Sequence, residues 1–169
     1  LVLVAPSTAF GQATVTSPAN KHNLSVSGPG PVKATTMTEI CIFCHTPHNS
    51  NPATPLWNQT QSASTYTPYT STTMAATAGV PLGSSKLCLS CHDGTIALGS
   101  TVTRGQIAMQ GLTGGKLTGA SSLGTNLADD HPIAFAPITS SELVAPAANS
   151  GVKLDQNGQL QGRSCHDPH

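Results

Sequence analysis

The chain has 169 residues, a formal net charge of zero and a pI near 7.2, with 8% charged and 4% aromatic residues. That balance excludes a basic nucleic-acid surface and gives no electrostatic reason to bind an anionic membrane. With 16 Gly and 13 Pro, too little apolar area is available to offset the entropy of ordering the chain, so a conventional core is not expected without staples.

Residues 1 to 13 run from apolar Leu1-Val2-Leu3-Val4 into small residues around Ala9 and Ala13. They read as the remnant of a secretory leader, which predicts an exported, extracellular or periplasmic protein. No stretch approaches the ~20 apolar residues of a membrane span. Residues 14 to 169 are expected to form a single domain. From 14 to 35 the chain is rich in Pro, Gly, Ser and Thr, and Gly28-Pro29-Gly30-Pro31 forbids regular structure there.

A short helix is expected from Thr36 or Thr38 to just before Pro47. It carries Cys41-Ile42-Phe43-Cys44-His45. An extended wrap over 49–83 follows, with Trp57, Tyr66 and Tyr69 as large apolar faces. A second short helix, capped by Ser84 or Ser85 and ended by Asp93-Gly94, carries Cys88-Leu89-Ser90-Cys91-His92. Residues 99–128 read as loop, and 139–143 as one helical turn stopped by Pro146. Val152–Asp155 and Gln159–Gln161 flank Asn157-Gly158, a two-residue hairpin signal. The chain ends on Gly162-Arg163-Ser164-Cys165-His166, where glycine replaces the first cysteine of the pattern, followed by Asp167-Pro168-His169. The stop so soon after a motif reads as a truncation.

Cys-x-x-Cys-His is the attachment signature of haem c. Two thiols add across the porphyrin vinyl groups, and the adjoining histidine reaches the iron. Cys41 and Cys44 with His45, and Cys88 and Cys91 with His92, make two complete sites. Cys165 with His166 makes a third, attached through Cys165 alone, so three haems are expected. All five cysteines are thereby used, leaving none for disulfides. The fold expected is mostly irregular, with a few short helices carrying the motifs, one short β-hairpin and a core of stacked haems.

The iron of an electron carrier takes a second axial ligand. His22, His48, His131 and His169 are available for that role beside the proximal His45, His92 and His166. His48 and His169 each follow a proximal histidine by three residues across a proline, which directs them to a neighbouring haem. His131 is preceded by Asp129 and Asp130, which can hold its Nδ1 proton. Met37, Met74 and Met109 are the rival ligands, with gap filling as their ordinary role. Three bis-His haems use six histidines. The seventh, His22, lies before the Gly28–Pro31 spacer and is the candidate for donation to another subunit. Such a contact is heterologous and builds an open fibre.

Cys41-Ile-Phe-Cys44-His45-Thr-Pro-His48-Asn49, Pro55-Leu56-Trp57, Ser84-Ser-Lys-Leu-Cys88-Leu-Ser-Cys91-His92-Asp93-Gly94, Asp130-His131-Pro132 and Ser164-Cys165-His166-Asp167-Pro168-His169 together resemble the multihaem c-type cytochromes of metal-respiring bacteria. The likeness extends over most of residues 20–169. It implies low-potential bis-His haems in a loop-rich fold, redox partners or extracellular acceptors, and subunits that polymerise head to tail into extracellular haem wires. It implies no catalytic residues. A soluble periplasmic electron shuttle is the nearest alternative. A multihaem reductase needs an iron with an open distal position, and a zinc module needs the two Cys pairs to converge.

Overall fold

The structure is a computed structural model that describes residues 14–50, 54–140, 143–147 and 150–169. The leader expected over 1–13 lies outside the described residues. Among those described, one α-helix is present, α1 (Gly83–His92), with short 3₁₀ turns at Cys41–Phe43, Gly119–Ser121 and Gly162–Ser164. Four two-residue strands complete the regular structure: β1 (Lys33–Ala34), β2 (Ser100–Thr101), β3 (Gly105–Gln106) and β4 (Met109–Gln110). β1 pairs antiparallel with β4, Lys33 opposite Gln110, and β2 pairs antiparallel with β3, Ser100 opposite Gln106. None of the described helices is long and apolar enough to cross a membrane.

Several local expectations are corrected. No helix runs from Thr36 or Thr38 to His45; only the turn at Cys41–Phe43 is helical. The Met37 carbonyl, which an α-helix would offer to Cys41, accepts instead from Val26 N–H at 2.8 Å, and Thr35 N–H donates to the Ala108 carbonyl at 3.0 Å. Lateral pairing has taken the bonds that helix propagation needs. Residues 99–128 are not plain loop, since they hold β2, β3 and β4. Strands of two residues leave no periodicity to read. Neither Ser84 nor Ser85 caps α1, whose N-cap is Leu82 without a side-chain bond. Over 139–143, the described ends form no helical turn: Ser140 N–H donates to the Leu143 carbonyl, opposite to the helical sense.

The turn before the third motif forms with a different loop. Asp155 N–H donates to Gln159 C=O at 2.9 Å, and Gly158 N–H to Asp155 C=O at 3.0 Å. The loop is therefore Gln156-Asn157-Gly158, with Gly158 at φ +70°, the three-residue loop that ends on a left-handed glycine. No strands extend from it; Phe135 and Leu160 form an isolated bridge instead.

Among the described residues, buried apolar side chains gather in two small clusters, with Leu98 and Ala134 buried outside them. Ala34, Ile42, Phe43 and Ile107 form one, with Leu24, Met37, Cys44 and Met109 against it, and Tyr66, Leu89 and Leu127 form the other. Met37 and Met109 thus fill gaps beside the first motif. The largest fully buried side chains are all polar: Gln59, Gln161, Asn58, Ser25 and Ser90. Each buried amide must find partners or cost about 1–3 kcal/mol per unpaired group, and Asn58 shows how they do. Its Nδ2 donates to the Ile42 carbonyl at 2.6 Å, while its Oδ1 accepts from Thr103 N–H and Oγ1. Its own N–H donates to the Cys44 carbonyl. One asparagine thereby holds the first motif against the β2–β3 connection.

Candidate haem-binding site

Two different backbones present the complete motifs. In the first, Cys44 N–H and His45 N–H both donate to the Cys41 carbonyl, at 3.1 and 2.8 Å. That tight turn carries both thiols and the histidine. In the second, Cys88, Cys91 and His92 ride on α1, where offsets of three and four residues bring side chains to one face. Asp93 N–H closes the helix on the Leu89 carbonyl, and Gly94 follows at φ +67°. A Cβ at Gly94 would meet Ser122 Oγ at 2.7 Å, so only glycine turns the chain away there.

All five cysteines are free; Cys41, Cys88 and Cys165 are exposed, and Cys44 and Cys91 half-buried. Burial, then the neighbouring Cys41 and Cys88, pushes the Cys44 thiol up to about 11. Burial, then Cys44 first among its neighbours, pushes Cys91 up to about 12. The two motifs therefore lie within electrostatic reach of each other, with the Cys44 and Cys91 thiols protonated at neutral pH. Among the described residues, no group of three or more His, Cys, Asp or Glu converges as a metal site. The zinc arrangement, which needs four such donors at one point, does not fit the donor geometry.

The histidines come together in pairs. His22 faces His92 with ring centroids 6.2 Å apart and planes at 61°, and His169 faces His45 at 5.8 Å and 13°. Each pair joins one Cys-x-x-Cys-His histidine to one from outside the two complete motifs. Distances of this size occur in ordinary ring contacts, and they also match two imidazoles on opposite sides of one metal, whose centroids lie about 6 Å apart at metal–nitrogen distances of ~2 Å. His92 Nδ1 lies 2.8 Å from the Ser121 carbonyl, which leaves Nε2 as the free nitrogen of its ring. His169 Nδ1 lies 3.3 Å from Asp167 Oδ1, with the same consequence. Burial, then His92 and His169, lowers the pKa of His22, which favours the neutral ring that a metal requires. The cysteines and histidine of each complete motif could hold a haem, and the centroid separations are compatible with one, while the rings themselves meet as an edge contact and a stacked pair.

Asn20 holds both outer histidines in place. Its Oδ1 accepts from His22 N–H at 2.9 Å, and its Nδ2 donates to the Pro168 carbonyl, one residue before His169, at 3.1 Å. Sequence reasoning passed over this residue, although an asparagine two positions before a candidate histidine is a usual Asx-turn former. Asn20→Ala is expected to loosen both pairs, since each bond contributes about 1 kcal/mol. The check is ferric EPR of the haem-bearing variant, in which a partial high-spin signal should appear with haem content unchanged.

The remaining residues fall elsewhere. His48, His131 and His166 are exposed, and no histidine ring faces them among the described residues. His131 Nδ1 lies 2.9 Å from the Pro132 carbonyl, so the carboxylate expected from Asp129 or Asp130 is not its partner. Its own following residue is nearer, and Asp130 Oδ2 is buried without a bond. Trp57 stands edge-on to His45 at 6.0 Å with its Nε1–H buried and unpaired. An indole donor in that state beside His45 would accommodate a bound group that brings an acceptor. Tyr66 is packed within the protein and donates to Asp93 Oδ2 at 2.7 Å. Burial raises the Asp93 carboxyl, but donors from Thr95, Tyr66 and Ser62 outweigh it and leave the pKa below the ordinary value.

No protein-family model matches the chain, and no curated protein matches it significantly.

Proposed function

We propose that this chain is a multihaem c-type cytochrome that passes electrons and turns over no substrate. The observation that carries this reading is the pairing of His45 with His169 and of His92 with His22, each at about the separation that one iron between them requires. Haem c supplies one-electron exchange at its iron. The chain's own part is to anchor, orient and space these groups. Cys41 and Cys44 would anchor one site and Cys88 and Cys91 the other, with Cys44 within electrostatic reach of Cys91. His92 is oriented by Ser121 and His169 by Asp167, while Asn20 fixes both outer ligands relative to each other.

Within this reading, head-to-tail association into an extracellular filament is the assembly we favour over a soluble shuttle. A formal charge of zero sets no repulsion against stacking copies. His48 and His131 remain exposed for ligation across a boundary. Placement of His22 beside His92 of its own chain moves that role away from His22.

Pyridine haemochrome assay together with denaturing intact mass tests the proposal. At least two covalent haem additions are expected, with the irons of the two complete motifs six-coordinate, low-spin and unaltered by cyanide. A protein with no haem, or with a complete motif whose iron binds cyanide, contradicts it. Negative-stain images of secreted material separate filament from shuttle.

A further inference from the structure

We infer that the third motif binds haem through one thioether, at Cys165, and that a buried polar brace from α1 sets its loop in the attachment conformation. This inference rests on the haem reading above. The backbone of the third motif repeats that of the first. Cys165 N–H and His166 N–H both donate to the Gly162 carbonyl, at 3.2 and 3.0 Å, as Cys44 and His45 do to the Cys41 carbonyl. The second cysteines also agree, Cys44 at φ −115°, ψ −34° and Cys165 at φ −120°, ψ −23°. Gly162 therefore stands where Cys41 stands. Its glycine is not demanded by space, because a Cβ there would meet only Ser85 Oγ, at 3.7 Å. The loop is built as an attachment loop with one anchor removed.

The bond that remains is balanced as an addition. The Sγ–H bond of Cys165 breaks, sulfur bonds to the inner carbon of one vinyl group, and the proton goes to the outer carbon. No electrons are gained or lost overall, and the second vinyl stays unsaturated.

A loop with one anchor depends more on what else holds it. Gly162 N–H donates to Ser85 Oγ at 2.9 Å, and Ser85 donates to Gln161 Oε1 at 2.6 Å. Gln161 Nε2 then donates to Asp155 Oδ2 at 3.0 Å, and Asp155 Oδ1 accepts from Asn157 and Gln159 N–H. Ser85 and Gln161 are each 2% exposed, so the bond between them is shielded from water. The brace ties α1, which carries the second motif, to the loop of the third.

The test uses the full haem-bearing chain. Tandem mass spectrometry of the Cys165 peptide should find haem joined by one bond with a vinyl intact. The pyridine haemochrome band should lie at longer wavelength than that of a protein with two-thioether haems only. Gly162→Cys should move the band back with the haem count still three. Ser85→Ala should lose haem from the third site alone, and Ser85→Ala with Gly162→Cys should regain it. A chain with two haems and Cys165 open to alkylation overturns the inference, as does a third haem found only in Gly162→Cys. Third-site occupancy indifferent to Ser85→Ala overturns the brace. A chain without haem at any motif overturns the functional reading instead.

Discussion

Cys88→Ser combined with Cys91→Ser is expected to give a chain that proteases cut rapidly where the haem-bearing protein resists. α1 is ten residues long and has Leu89 as its one buried apolar side chain, beside buried Ser85 and Ser90. An isolated helix of that length is marginal in water, because nucleation costs more than a few propagated bonds return. Packing must therefore hold it, and the protein offers only Tyr66 and Leu127 to Leu89. On the proposed function, a covalently bound porphyrin would supply the missing apolar face. Its loss should free α1, then the Ser85–Gln161 brace at its start, then the third motif. Limited proteolysis with mass mapping should find the first cuts in and around residues 83–99. A compact haem-free variant with dispersed amide NMR signals would show that the polar core suffices.

The motifs and the irregular character of the chain were legible in the sequence because they depend on identity and composition. Cys-x-x-Cys-His specifies its spacing locally, whether a 3₁₀ turn or α1 presents it. Asp93-Gly94 was legible as a stop because a left-handed residue is a local demand. What could not be read is which distant polar group claims a given donor. Ser85 looks like an N-cap, yet its hydroxyl is committed to Gln161, 76 residues away. Thr36 and Met37 look like a helix start, yet the Met37 carbonyl belongs to Val26. Asn58, Gln59 and Gln161 look like solvent-facing residues and are among the most buried. In a chain with few large apolar side chains, hydrogen-bond partners far apart in sequence decide the local conformation, and no periodicity announces them. The histidine pairs show the same limit. The seven candidates could be named from sequence, but their pairing is tertiary.

His22→Ala is expected to convert one haem, that of the second motif, to a high-spin form in monomeric protein. His22 lies against His92 at 6.2 Å, so its loss leaves that iron without its second imidazole, whatever the state of assembly. His169→Ala should do the same at the first motif, through His45. Because Asn20 bonds to the backbone of both segments, which neither substitution removes, each single variant should leave the other pair intact. The double variant should show two high-spin haems, with the third site unchanged. Ferric EPR on dilute, size-selected monomer is the measurement, with added imidazole restoring the low-spin signal in proportion to the sites emptied. Cross-subunit donation by His22 gives the opposite pattern. The second-motif iron would then already be high-spin in monomer before any substitution, and His22→Ala would change only assembled material. That outcome would mean the His22–His92 approach is an ordinary edge contact between rings. It would also return His22 to the role of joining one copy of the chain to the next.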